Sequence, residues 1–148
     1  MRRQIQSDAE YAEYAEHAEM QTKSEYTRAF TANILGAFHE AYDGCGYGLS
    51  EAVCANAFSV ALQSRGIPFV REVPVEVVFK GVTIGLLRLD FVIGECVIAE
   101  IKATRQLVDA DQTQILNYLR KSPYEIGFLL HFGPRRAFRR YIYSSDRK

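Results

Sequence analysis

The sequence predicts a mixed α/β fold with a central sheet flanked by helices, and three observations carry that prediction. Apolar residues recur at three- and four-residue steps from Ser24 to about Ala41, again from Ala52 to Leu62, and again between Ala110 and Arg120. Between the second and third stretches the texture changes to Val- and Ile-rich, partly alternating runs broken at Lys80-Gly81 and Gly94-Glu95. The length, 148 residues, suits one hydrophobic core.

Asp8 to Met20 reads DAEYAEYAEHAEM, a polar repeat of helix formers without a sustained apolar stripe. Residues 1–23 are therefore expected to be a helical or frayed extension, either a tail or a partner-binding helix, and residues 24–148 the folded domain. Tyr26, Phe30, Ile34, Ala37, Phe38 and Ala41 form the first core-facing stripe, which ends before Asp43-Gly44. A glycine-rich turn follows, and Ser50 is placed to cap a second helix carrying Ala52, Val53, Ala55, Phe58, Ala61 and Leu62.

Phe69–Phe79 and Val82–Ile93 read as a hairpin about Lys80-Gly81, and Cys96–Lys102 as the next strand of a meander. Strand alternation places Val97, Ala99 and Ile101 inward and Ile98, Glu100 and Lys102 outward. A third helix from Ala110 to Arg120 stops before Ser122-Pro123. Residues Ile126–Phe132 and Phe138–Tyr143 complete a set of about five strands and three helices.

Eighteen basic side chains balance eighteen acidic ones, so an anionic partner must be recognised by a local cluster rather than by global charge. Arg135, Arg136, Arg139 and Arg140 are the strong cluster, to be read either as a nucleic-acid-binding surface or as a solvated turn. No apolar run approaches the roughly 20 residues of a membrane helix, and Met-Arg-Arg leads into no apolar signal region, so a cytoplasmic protein with no membrane partner is expected. Cys45, Cys54 and Cys96 form no CxxC pair and read as reduced thiols. His17, His39 and His131 have no metal-ligand spacing and read as structural.

Asp90, Glu100 and Lys102 are the chemically suggestive set. Glu100 and Lys102 lie two residues apart on one strand and share a face, and the preceding strand brings Asp90 beside them. Converging carboxylates repel unless a cation joins them, and an all-oxygen donor set suits Mg2+ or Mn2+. A metal with an adjacent lysine is what phosphodiester hydrolysis requires. The competing reading of the E-x-K pair is a solvated cross-strand ion pair. Apolar neighbours, Phe91 and Ile98 among them, favour a buried or half-buried site.

Gly48-Leu49-Ser50-Glu51, Val73-Pro74-Val75, Phe79-Lys80-Gly81, Arg88-Leu89-Asp90, Glu100-Ile101-Lys102-Ala103 and Gln114-Ile115-Leu116-Asn117-Tyr118-Leu119 occur in that order. In this the chain, from about Asn33 to Tyr143, resembles the GxxExxY family of PD-(D/E)XK nuclease-like proteins, with Cys54 at the position of the motif's tyrosine. The resemblance implies an αβββαβ nuclease core with Asp90, Glu100 and Lys102 as its site. It further implies that Glu51 reaches in from its helix to join Asp90 and Glu100 as a metal ligand, that Gln114 approaches from the later one, and that the Ile101 carbonyl completes the coordination. Glu51 is also explained by the helix macrodipole alone, and Gln114 as a polar helix residue. The expectation is a Mg2+- or Mn2+-dependent nuclease acting on nucleic acid, with DNA favoured over RNA and a homodimer as one way to clamp a duplex. The alternative is a catalytically silent nuclease-like binding or assembly module.

Overall fold

The computed structural model describes the backbone of residues 8–148 and the side chains of residues 27–148. The first seven residues of the predicted extension and the side chain of His17 lie outside that range. Helix α1 covers Asp8–Cys45, so the polar repeat and the first amphipathic stripe belong to one element rather than two. The chain divides into two compact units between Leu35 and Gly36. In the first, Thr31 Oγ1 donates to the Arg28 carbonyl at 3.1 Å, one helical turn back.

The second unit holds the sheet. Helix α2 (Glu51–Ser64) starts at the predicted cap, where Ser50 Oγ accepts from the Val53 N–H at 3.2 Å. Strands β1 (Phe69–Phe79) and β2 (Val82–Ile93) are joined by Lys80-Gly81, whose φ values of 49° and 76° are those of a two-residue hairpin turn. Strand β3 (Val97–Lys102) completes the antiparallel meander. Helix α3 (Asp109–Lys121) crosses over to β4 (Ile126–Phe132), which runs parallel to β3, and β5 (Arg136–Ile142) returns antiparallel. The sheet order is β1-β2-β3-β4-β5. It is the mixed, helix-flanked sheet expected from the sequence.

The residues on the outward face of β3 are covered, as their apolar neighbours suggest, because helices lie on both faces of the sheet: Ile98 is fully buried and Glu100 is 2 % exposed. On one face Phe58 of α2 meets Phe91 edge-on at 5.0 Å, and Phe38, in the last turns of α1, meets Phe132 at 5.2 Å. On the other, Ile115 and Leu119 of α3 pack with Leu89, Val92, Ile98 and Leu129. Gly127 permits that approach, since a Cβ there would stand 3.0 Å from Ile115 Cδ1 and 3.2 Å from Ile98 Cγ1. Leu119→Ala, which truncates a fully buried side chain of this cluster, is expected to cost about 2–5 kcal/mol. Chemical denaturation checks this as a lower midpoint at unchanged slope.

The alternation of β2 breaks at Asp90. Phe91 faces α2, whereas Leu89 and Val92 both face α3, although residues 89 and 92 on a regular strand would take opposite faces. Across the hairpin, the register runs from Arg71↔Phe91 to Val73↔Leu89, and the intervening Glu72 has φ 54°. Pairing of β2 with β3 also stops here, at Phe91↔Ala99. Asp90 thus occupies the point where β2 bends away from the centre of the sheet.

Candidate active site

Three elements meet at that bend. One residue beyond the last β2–β3 pair, Asp90 and Glu100 interlock: the Asp90 N–H donates to Glu100 Oε1 at 3.1 Å, and the Ile101 N–H donates to Asp90 Oδ2 at 3.0 Å. Each carboxylate therefore holds the other strand's backbone with one oxygen and keeps a second. An extended residue presents its N–H and C=O to the same side, so the Ile101 carbonyl faces the Asp90 side, past the end of the β2–β3 pairing.

Glu100 is the electrostatic focus. Burial, then the neighbouring Asp90 carboxylate, push its pKa up to about 9, and Lys102 opposes the shift only in part. A carboxyl this strongly disfavoured as an anion is a group that a bound cation would relieve. The donor set of Asp90, Glu100 and the Ile101 carbonyl is all hard oxygen and suits Mg2+ or Mn2+. Among the described residues, however, no three His, Cys, Asp or Glu side chains cluster closely enough to hold a metal by themselves. The carboxylates that interlock at the bend are Asp90 and Glu100.

Lys102 is held from α3. Its Nζ donates to Gln114 Oε1 at 2.7 Å, and Gln114 Nε2 donates to the Tyr118 hydroxyl at 2.9 Å. Asp111 Oδ1 lies 3.7 Å from the same ammonium. Asp111, Gln114 and Tyr118 fall on one helix stripe at steps of three and four, in line with the buried Ile115 and Leu119. The Tyr118 phenol is raised in pKa by burial. Asp111 and Tyr118 were not singled out from the sequence as site residues. Their signal is the spacing from Gln114, which becomes meaningful only once the face of α3 is known.

Glu51, the first residue of α2, is exposed, yet its carboxyl is raised in pKa by partial desolvation. Lys102 opposes that shift, and Asp90 and Asp111 add to it, which puts Glu51 within electrostatic reach of the site. Cys54, three residues on, is a fully buried free thiol pointing into the core, with Sγ 4.0 Å from the Leu49 carbonyl. His131, next to Lys102 in the parallel register, donates from Nε2 to the Thr104 carbonyl at 2.7 Å and so ties down the loop after β3.

The arginine cluster is divided. Arg136 pairs with Asp43 at 2.8 Å and lies over the Tyr42 ring. Arg139 and Arg140 stand opposite Leu129 and Phe128, whose side chains lie on different faces of the sheet. Of the three arginines on β5, Arg139 shares the face of Glu100, in the row Glu100↔Leu129↔Arg139.

This architecture, with acidic residues at a strand bend and a lysine two residues along the next strand, defines a nuclease-like α/β domain. A family model for the PD-(D/E)XK nuclease superfamily matches residues 28–141, and the chain belongs to that superfamily. Among solved structures, the crystal structure of SSO0001 is similar at 20% identity and a TM-score of 0.50, over 65% of this chain and 51% of that one. The match spans about half of that protein and supports the fold. No curated protein matches the chain.

Proposed function

We propose that the protein is a divalent-metal-dependent nuclease that hydrolyses phosphodiester bonds, most readily in DNA, and that it belongs to the GxxExxY group within its superfamily. The observation that carries this reading is the interlocked Asp90–Glu100 pair beside a lysine held by Gln114. Asp90, Glu100 and the Ile101 carbonyl would hold Mg2+ or Mn2+, with Glu51 in support from the mouth of the site. A bound cation supplies Lewis-acid polarisation of the phosphoryl group and a more acidic water. The chain's own part is to fix the donors by backbone hydrogen bonds and to keep the Lys102 ammonium where negative charge develops on the phosphate. Gln114, backed by Tyr118, orients that ammonium.

Arg139, on the same face as Glu100, is the member of the basic cluster best placed to meet a nucleic-acid backbone, with Arg135, Arg136 and Arg140 extending the contact around the sheet edge. The reading places the protein in the cytoplasm, with a homodimer as one arrangement for gripping a duplex. No described helix is long and apolar enough to cross a membrane. A second reading, a catalytically silent binding module, draws on the lack of a three-side-chain metal cluster among the described residues.

Incubation of the wild type and Lys102→Met with plasmid, single-stranded DNA and RNA, each with and without Mg2+, separates the two. The wild type should cut DNA only with metal, and Lys102→Met should be slower by roughly 100-fold or more. Binding without cutting under Mg2+ or Mn2+ would establish the module reading instead.

A further inference from the structure

Among the described residues, the carboxylate that pairs with Lys102 comes from a residue that no motif marks. Asp111 uses its two carboxylate oxygens for two tasks. Oδ2 accepts from the Val108 N–H at 2.9 Å, while the Asp111 N–H donates back to the Val108 carbonyl at 3.0 Å, so the residue closes the first turn of α3. Oδ1 lies 3.7 Å from Lys102 Nζ, and both side chains are largely withdrawn from solvent, 16 % and 15 % exposed. Gln114, one turn along, takes the same ammonium at 2.7 Å. Lys102 is therefore gripped from two positions on one helix.

We propose that Asp111 is a positioning residue for Lys102, a helix cap that doubles as the fixed counter-ion setting where the ammonium sits; this rests on the nuclease reading. Gln114 alone gives the ammonium one neutral acceptor and leaves its other two N–H donors undirected. The Asp111 carboxylate supplies the second anchor and restrains the swing of a four-carbon side chain. The loop between Lys102 and α3 is anchored at both ends, by His131 on Thr104 and by Asp111 on Val108. The cap is thereby registered to the strand that carries Glu100.

Substitution separates the two tasks. Asp111→Asn keeps an acceptor for the Val108 N–H and removes the charge, Asp111→Ala removes both, and Asp111→Glu restores the charge. With the full-length chain, Mg2+ and duplex DNA, Asp111→Asn is expected to lower kcat roughly tenfold with KM within about twofold. Asp111→Glu should recover a large part of the loss, and Asp111→Ala should match Asp111→Asn in kcat while melting lower. A stability cycle without substrate provides the independent arm. Asp111→Asn should lower the melting temperature by about 2–4 °C in the wild type and leave it unchanged in a Lys102→Met background.

Equal melting shifts in the two backgrounds, or an unchanged kcat for Asp111→Asn, would overturn the positioning role while leaving the nuclease reading standing. A wild type that cuts nothing would overturn the nuclease reading and the catalytic half of this proposal, even with the Lys102–Asp111 coupling intact.

Discussion

Asp90→Asn is expected to abolish metal-dependent cleavage, by about 10³-fold or more, while leaving the protein folded. Asp90 is one of the two carboxylates that interlock at the bend, so its loss removes one charged donor of the pair. Asparagine still offers an oxygen to the Ile101 N–H, which keeps the side-chain-to-backbone hydrogen bond that joins β2 to β3 beyond their last ladder pair. Steady-state cleavage of a labelled duplex together with a melting curve checks both halves. Loss of cleavage accompanied by loss of folding would assign Asp90 a structural role rather than a chemical one.

The second large effect runs in the opposite direction. Glu100→Gln should stabilise the metal-free protein at neutral pH and at the same time remove its response to Mg2+ or Mn2+. Burial and Asp90 raise the folded-state pKa of Glu100 to about 9, well above the value near 4.5 for an unperturbed glutamate. The folded state thus favours the protonated carboxyl. The stability this group contributes is complete below about pH 4.5 and declines as the pH rises toward 9. At pH 7 the cost to the wild type is on the order of 3 kcal/mol. Glutamine removes that cost and retains an oxygen for the Asp90 N–H. The variant should melt at least about 5 °C above the wild type at pH 7 and close to it at pH 4.5. Added metal, which binds only the folded state, should raise the melting temperature of the wild type and not that of Glu100→Gln. Equal melting at pH 7 would mean that Glu100 carries no such burden.

The pairing of an unstable carboxyl with a stable scaffold explains which features were readable in advance. The hairpin was legible because Lys80-Gly81 separates two Val-rich runs, and α2 because Ser50 precedes an apolar stripe; both signals are local. The lysine's place beside Glu100 followed from the two-residue repeat of a strand. Features that depend on what covers the sheet were not legible. The apolar neighbours of Glu100 point to burial, but the helix that covers it is not readable from them, and Asp111 reads as an ordinary acidic residue at a helix start until that start is seen to lie beside Lys102. The break in alternation at Asp90 lies opposite Glu72, which the β1–β2 register skips, a nonlocal fact. The four arginines form one cluster in sequence, but the three on β5 are shared between two faces once the strand alternates, and Arg136 is occupied by Asp43.

The departure at Cys54 also acquires a physical reading. A fully buried thiol on α2 lies among core residues and makes its one noted polar contact with the Leu49 carbonyl. The position serves packing here.

Anomalous difference density from crystals grown or soaked with Mn2+ tests whether the bend of β2 at Asp90 holds a divalent metal. A peak bounded by Asp90, Glu100 and the Ile101 carbonyl is expected in the wild type, and its loss in Asp90→Asn. An empty bend, or a peak that persists unchanged without the Asp90 carboxylate, would contradict a metal site there.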